Sequence, residues 1–191
     1  ATKAQEAERR AADEPLFYAF RYRFKQLRVA MLNRNKVVDL AREYVLRMPD
    51  RPLLIVEPGC GDAVNLVRLM KELPTAARGR CLTVGIELSK QLAQDAAREL
   101  APWGGHCISA DALSGCGQFE PGTVDLLIFS CFLEHEVNPL PLLRRSREAL
   151  RTGGQLIIKV PNFDSLARHV RGHRWCGFRW PDHVNYFTPA S

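Results

Sequence analysis

Leu54-Ile55-Val56-Glu57-Pro58-Gly59-Cys60-Gly61-Asp62-Ala63 is the stretch on which the fold turns. An apolar run of strand length ends on an acid and meets two glycines one residue apart. From Ala63 to Leu73 apolar residues then recur at helical spacing. Strand, glycine turn and helix in that order open a βαβ unit, in which glycine lets the backbone approach a ligand at the carboxyl edge of a sheet. Two familiar ligand loops do not fit. A dinucleotide fingerprint, G-x-G-x-x-G, would need glycine where Val64 stands, and no Gly-Lys-Ser/Thr follows as a P-loop requires. Glu57, two residues before Gly59, would repel a pyrophosphate, yet it favours a ligand that carries an ammonium and a sulfonium.

Downstream the same alternation continues. Cys81–Glu87 reads as a second strand and Lys90–Leu100 as a helix. Cys107–Ala110 is a short third strand. Val124–Ser130 is a fourth, apolar on both faces as a central parallel strand must be. Pro139–Leu150 reads as a helix ending at Gly153 and Gly154, and Gln155–Val160 as a fifth strand. The pattern predicts an α/β fold with a doubly wound, mostly parallel sheet. Upstream, Pro15 to Met48 has helical periodicity, with a break expected at Asn33 and Asn35 and an end at Pro49 and Pro52. The expected organisation is an N-terminal helical segment over 1–52, the βαβ core over 53–161, and a substrate-side segment over 162–191. That last segment is rich in Arg, Trp and His. It closes on Thr188-Pro189, the signature of a helix start, and the chain begins without Met, so a longer polypeptide is expected.

The bulk properties set few further bounds. The 191 residues are 46% hydrophobic and 25% charged, ordinary for a globular chain, and no apolar run is long enough to cross a bilayer. With no apolar secretion signal at the N-terminus, the cytoplasm is the expected location. Cys60, Cys81, Cys107, Cys116, Cys131 and Cys176 form no C-x-x-C pair and read as reduced, packed thiols. The five histidines show no metal-ligand spacing: His169 and His173 are four apart but lack H-E-x-x-H, which suits a surface helix better, and no metal is expected. The formal net charge of +6 is spread over several Arg groups, which reads as solvated helix faces or as a field for RNA, lipid or a phosphorylated substrate.

The turn at Glu57–Gly61 resembles the first motif of the class I S-adenosylmethionine-dependent methyltransferases, and four further segments match in order. Val84-Gly85-Ile86-Glu87 ends the second strand on an acid. Ser109-Ala110-Asp111-Ala112, Val124 to Ser130, and Leu150-Arg151-Thr152-Gly153-Gly154-Gln155-Leu156 follow. The resemblance covers about Leu53 to Asn162. The tail, with His183-Val184-Asn185-Tyr186-Phe187, is similar to a small-molecule branch related to ubiquinone-pathway methyltransferases. The resemblance implies a Rossmann-like fold whose last strands lie beyond this sequence. It also implies S-adenosylmethionine as cofactor, S-adenosylhomocysteine as product, and cofactor contacts at Glu57, Gly59, Cys60, Gly61, Glu87, Leu88, Asp111, Ala112 and Ser130. Glu87 would accept from both ribose hydroxyls and Asp111 from the adenine amine. Two departures are visible: Ala63 stands where the family often has glycine, and the Pro74–Arg80 insertion delays Glu87.

Methyl transfer from an activated sulfonium needs positioning above all, and a hydroxyl acceptor also benefits from a base. The methyl should lie near the loop Ser130-Cys131-Phe132-Leu133-Glu134-His135-Glu136. This loop lacks the Asn/Asp-Pro-Pro-Tyr/Phe clamp of amino-methyltransferases and the Pro-Cys of cytosine-C5 enzymes. His135 is the candidate base, the competing role being to hold the loop by hydrogen bonds. Tyr18, Tyr22, Trp175 and His183 are the candidate acceptor contacts, set against simple packing of the flanking segments. O-methylation of a small molecule is the expected activity. An RNA methyltransferase and a non-catalytic cofactor-binding or scaffold protein are the competing readings.

Overall fold

The computed structural model describes residues 35–191. Tyr18, Tyr22 and the expected helix before Asn33 lie outside the described residues. Contacts divide the chain into Ala1–Asn35 and Lys36–Ser191. The second unit holds α1 (Lys36–Arg47), β1 (Leu53–Pro58), α2 (Val64–Glu72), α3 (Thr75–Arg78), β2 (Cys81–Glu87) and α4 (Lys90–Leu100). These are followed by β3 (His106–Ser109), α5 (Ala112–Cys116), β4 (Val124–Ser130), α6 (Pro139–Ala149), β5 (Leu150–Lys159) and α7 (Leu166–Arg171).

Five strands form one sheet in the order β3-β2-β1-β4-β5, and every neighbouring pair is parallel. The period-two alternation of strand side chains splits the core into two layers. Leu53, Ile55, Leu126 and Ile128 face α1, α2 and α4, while Val56, Leu127 and Phe129 face α5 and α6. Helices on both faces explain why six of the seven residues of β4 are buried. α1 is amphipathic and buries Val37, Val38, Ala41, Tyr44 and Val45 in the same core as the sheet. Sequence grouping puts this helix with the N-terminal segment, but its apolar face makes it part of the α/β unit, which begins at Lys36.

The fold is the doubly wound Rossmann-like sheet that the alternation predicts. The strand order reverses direction between β1 and β4, the place where such sheets open a crevice at their carboxyl ends. β2, β4 and α4 match the residues expected from sequence. β5 differs. It starts at Leu150, and its register to β4 jumps from Val124↔Leu150 to Leu126↔Gln155. Gly153, at φ +80°, and Gly154 therefore lie in an irregularity within the strand and not in a turn before it. A Cβ on Gly154 would sit 3.1 Å from the carbonyl oxygens of Val124 and Asp125, so any larger residue would have to push the β4 backbone back by a few tenths of an ångström. The expected surface helix carrying His169 and His173 is broken: α7 stops at Arg171 and Gly172 turns at φ +51°, so the two rings lie on different elements.

At the opposite, amino end of the sheet Asp125 gathers a polar knot. Its carboxylate accepts from Arg51 at 2.7 Å, the Leu54 amide at 2.8 Å and Arg151 at 3.2 Å. Burial pushes its pKa up, but the Arg51 bond, the Leu54 amide and Arg151 outweigh that and hold it below the ordinary Asp range. The three contacts tie the start of β1 and of β5 to β4. Among the described residues no helix is long and apolar enough to cross a membrane.

Candidate functional site

The turn after β1 is built from backbone conformations that side chains resist. Gly59, Gly61 and Ala63 all have positive φ, at 68°, 58° and 61°. Ala63 takes the left-handed conformation as the cap residue of α2, which accounts for the glycine that the resembled family often has at this position. A Cβ on Gly61 would meet nothing within 4 Å among the described residues, so they leave space beside the turn there. Gly59 is different: its Cβ would fall 2.0 Å from Cδ2 of Phe132, whose ring lies over the turn from the loop after β4 and stacks on Phe129. Sequence reasoning missed Phe132 because the close approach joins two loops from separate strands.

Two acids flank this turn, in different environments. Glu57 is 1% exposed, and Asn65 of α2 donates to its Oε1 at 2.6 Å while Oε2 is buried without a partner. Burial pushes its pKa up to about 7, the Asn65 bond pulls it down, and nearby Asp62 pushes it up. Glu87 is half-buried at the tip of β2. Its Oε2 accepts from the Gly61 amide at 3.0 Å and its Oε1 from the Ser89 amide at 2.9 Å. The carboxylate thus fixes the glycine turn and still keeps lone pairs on each oxygen.

The remaining positions expected on the cofactor side are distributed as follows. Asp111 is the exposed N-cap of α5 and accepts from the Ser114 amide at 2.9 Å; the Ser114 side chain first and its amide second hold the carboxyl below the ordinary Asp range. Ala112 behind it is buried, and Leu88 is 72% exposed beside Glu87. Cys60 is buried, with its sulfur 3.8 Å from that of Cys107, so it offers the crevice only backbone. The bond with Cys107 and burial together keep its thiol protonated. Ser130 ends β4, opposite Lys159 of β5.

Beyond Ser130 the chain turns sharply. Cys131 has φ +56°, rare for a residue with a Cβ, and its amide donates to Lys159 O at 2.7 Å. The loop that follows is stapled to the C-terminal segment. Val184 and Asn185 amides both donate to Glu134 O, and the Asn185 side chain donates to Leu133 O and Glu136 O. Asn185 is a positioning residue that no local sequence pattern marks.

This staple brings His135 and His183 together, ring centroids 4.7 Å apart and edge to face. His135 is exposed and pairs through Nδ1 with Asp182 O at 2.7 Å. His183 is 4% exposed and pairs through Nδ1 with Gly177 O at 2.9 Å. With each Nδ1 committed to a carbonyl, Nε2 is the basic nitrogen of both neutral rings. The two histidines line a cavity of about 540 Å³ together with Cys131, Glu134, Trp175 and Arg179. Trp175 is 6% exposed and packs edge to face on Phe163 and Phe178, so it serves the cavity as a fixed wall.

Comparison with known proteins adds the lineage. A family model described as a methyltransferase domain matches residues 56–156. An uncharacterized 37.1 kDa protein in transposon TN4556 of Streptomyces fradiae is 27% identical over 143 residues, 72% of this chain and 40% of its own length. The chain therefore spans less than half the length of that relative. Among solved structures, the [4+2]-cyclase SpnF superposes with a TM-score of 0.60 at 19% identity over 80% of this chain and 52% of its own. A geranyl diphosphate methyltransferase in complex with SAM does so with a TM-score of 0.51 at 19% identity, covering 63% and 46%. Likeness at that level speaks to the fold, whereas the family match takes in both the glycine turn and β4 and carries the assignment: the chain belongs to the methyltransferase domain family.

Proposed function

We propose that this chain binds S-adenosylmethionine at the carboxyl ends of β1 and β2 and passes its methyl group to a hydroxyl of a small molecule held in the cavity beyond β4. The observation that carries this reading is that one loop serves two features: Phe132 of the loop after β4 lies against Gly59 of the acid-flanked glycine turn, and Cys131, Glu134 and His135 of the same loop line the 540 Å³ cavity with its two oriented imidazoles. Glu57 suits the ammonium end of the cofactor, and Glu87 the ribose diol. The exposed carboxylate of Asp111 suits the adenine amine, with Leu88 and Ala112 beside it. The backbone of Gly59, Cys60 and Gly61, together with Ser130, would border the methionine portion.

In the reaction the acceptor oxygen attacks the methyl carbon in line with the carbon–sulfur bond. Bound S-adenosylmethionine would supply a methyl group whose carbon–sulfur electron pair stays on sulfur in the S-adenosylhomocysteine product, and Nε2 of His135 would take the acceptor proton. His183 and Trp175 would hold the acceptor. Positioning supplies most of the acceleration because the donor is already activated.

The test is incubation with methyl-labelled S-adenosylmethionine and separate pools of hydroxylated small molecules and RNA. Label in a small-molecule methyl ether, reduced at least a hundredfold in His135→Ala with cofactor affinity retained, is the expected result. Label in RNA would move the acceptor to nucleic acid. Cofactor binding without transfer to either pool would leave a binding protein.

A further inference from the structure

We propose that Glu134, His135 and His183 form a binding site for a divalent transition-metal cation such as Zn²⁺ at the wall of the acceptor cavity. One ligand atom from each of the three lies within 4.8 Å of the others. Ligand atoms about 2.1 Å from one tetrahedral ion sit about 3.4 Å apart, so the trio must close by up to about 1.4 Å when the ion binds.

Three independent features point the same way. Glu134 is 1% exposed, and its Oε2 is buried with no hydrogen-bond partner. A carboxylate oxygen in that state is costly, and a cation is one of the few things that satisfies it. Both histidines are also fixed as ligating histidines usually are, with the second ring nitrogen tied to a backbone carbonyl, Asp182 O at 2.7 Å and Gly177 O at 2.9 Å. Finally, the backbone around the trio is pinned in advance, because Glu134 O accepts from the amides of both Val184 and Asn185. Arg179 also lines the cavity, and its guanidinium is engaged by Asp182 at 3.4 Å.

Two imidazoles and one carboxylate suit zinc, ferrous iron or nickel. Calcium and magnesium, which prefer all-oxygen sites, fit poorly. Three protein ligands leave positions open toward the cavity. The use of those positions rests on the proposed acceptor site: with the cation bound, Nε2 of His135 is a ligand and the acceptor hydroxyl gives its proton to solvent water, whereas the base role of His135 belongs to the metal-free chain. Binding of the cation itself does not depend on that reading. Glu134 and His135 are adjacent in sequence, but His183 reaches them only through the fold, which is why no ligand spacing is visible in the chain.

The test uses the whole chain, stripped with a chelator and titrated with Co²⁺ as a spectroscopic stand-in. Glu134→Gln and His135→Ala are compared after each has been shown to unfold like the parent. The expected result is one Co²⁺ per chain with visible ligand-field bands, displaced by Zn²⁺, and at least tenfold weaker affinity in each variant. His135 is exposed, so its variant tests the site even if the Glu134 change disturbs folding. Absence of a saturable spectrum, or equal affinity in parent and His135→Ala, would overturn the proposal. S-adenosylhomocysteine affinity is measured alongside. Co²⁺ binding without nucleoside binding supports the metal site and removes the cofactor reading, and the reverse result removes the metal site alone.

Discussion

If Glu57 receives the ammonium group of the cofactor, binding must depend on pH in a way that a single substitution erases. Burial pushes this carboxyl to about pKa 7, so near neutrality it is only partly ionised. A cationic ligand binds the ionised form. With that pKa the ionised share is roughly one in eleven at about pH 6 and about three in four at about pH 7.5. Affinity for S-adenosylhomocysteine should therefore rise about eightfold over that interval, with release of a proton on binding. Calorimetry in buffers of different ionisation enthalpy reads both quantities. In Glu57→Gln the affinity should be lower and flat across the interval. A flat profile in the parent, or the same rise in the variant, would refute the assignment. Without ligand the same group has the opposite consequence for stability. Between about pH 4.5 and about pH 7 the folded chain keeps a proton that the unfolded chain has released. Stability is then greatest below that window and falls by about 3 kcal/mol across it, a slope that Glu57→Gln should remove.

Other consequences follow from named contacts. Glu87→Ala removes the acceptor for two turn amides and, with it, the proposed ribose contact, so cofactor affinity should fall at least about a hundredfold, read by equilibrium dialysis. Gly59→Ala forces a methyl into the Phe132 ring at an unfavourable φ and should cost about 1–3 kcal/mol in denaturant unfolding. Phe132→Ala in the same chain should recover part of that loss, and full additivity would show that the two do not touch. Asp125→Ala removes the acceptor for Arg51, Arg151 and the Leu54 amide, and because both arginines reach solvent it should destabilise by about 1–3 kcal/mol. Because the Asp125 pKa is held low, its contribution is present above the ordinary Asp range and is lost as pH falls through the folded value, so acid unfolding should begin at higher pH in Asp125→Asn.

Much of this fold can be read along the chain because each element announces itself locally. β2 and β4 are apolar runs bounded by turn residues, α4 has a serine cap whose oxygen accepts from Leu92 at 3.4 Å, and the glycine turn needs no partner to be recognised. The path of β5 was less legible. Two glycines after a helix normally mark a turn, and only the neighbouring backbone of β4 makes them part of a strand. In the site, Glu57, Glu87 and Asp111 could be singled out because each ends a strand or opens a helix. What could not be seen was what else binds them. Glu87 holds the Gly61 and Ser89 amides, and Asp111 caps α5. The Glu134, His135 and His183 group was invisible for a different reason. It depends on Asn185 and the amides of 184 and 185 folding the C-terminal segment back over the loop after β4.

A structure determined with S-adenosylhomocysteine bound tests the central claim most directly. The account predicts the ribose within hydrogen-bond distance of Glu87, the amino group at Glu57, and the sulfur facing the cavity that holds His135 and His183. A nucleoside seated elsewhere, or one at the turn with its sulfur directed away from that cavity, would contradict it.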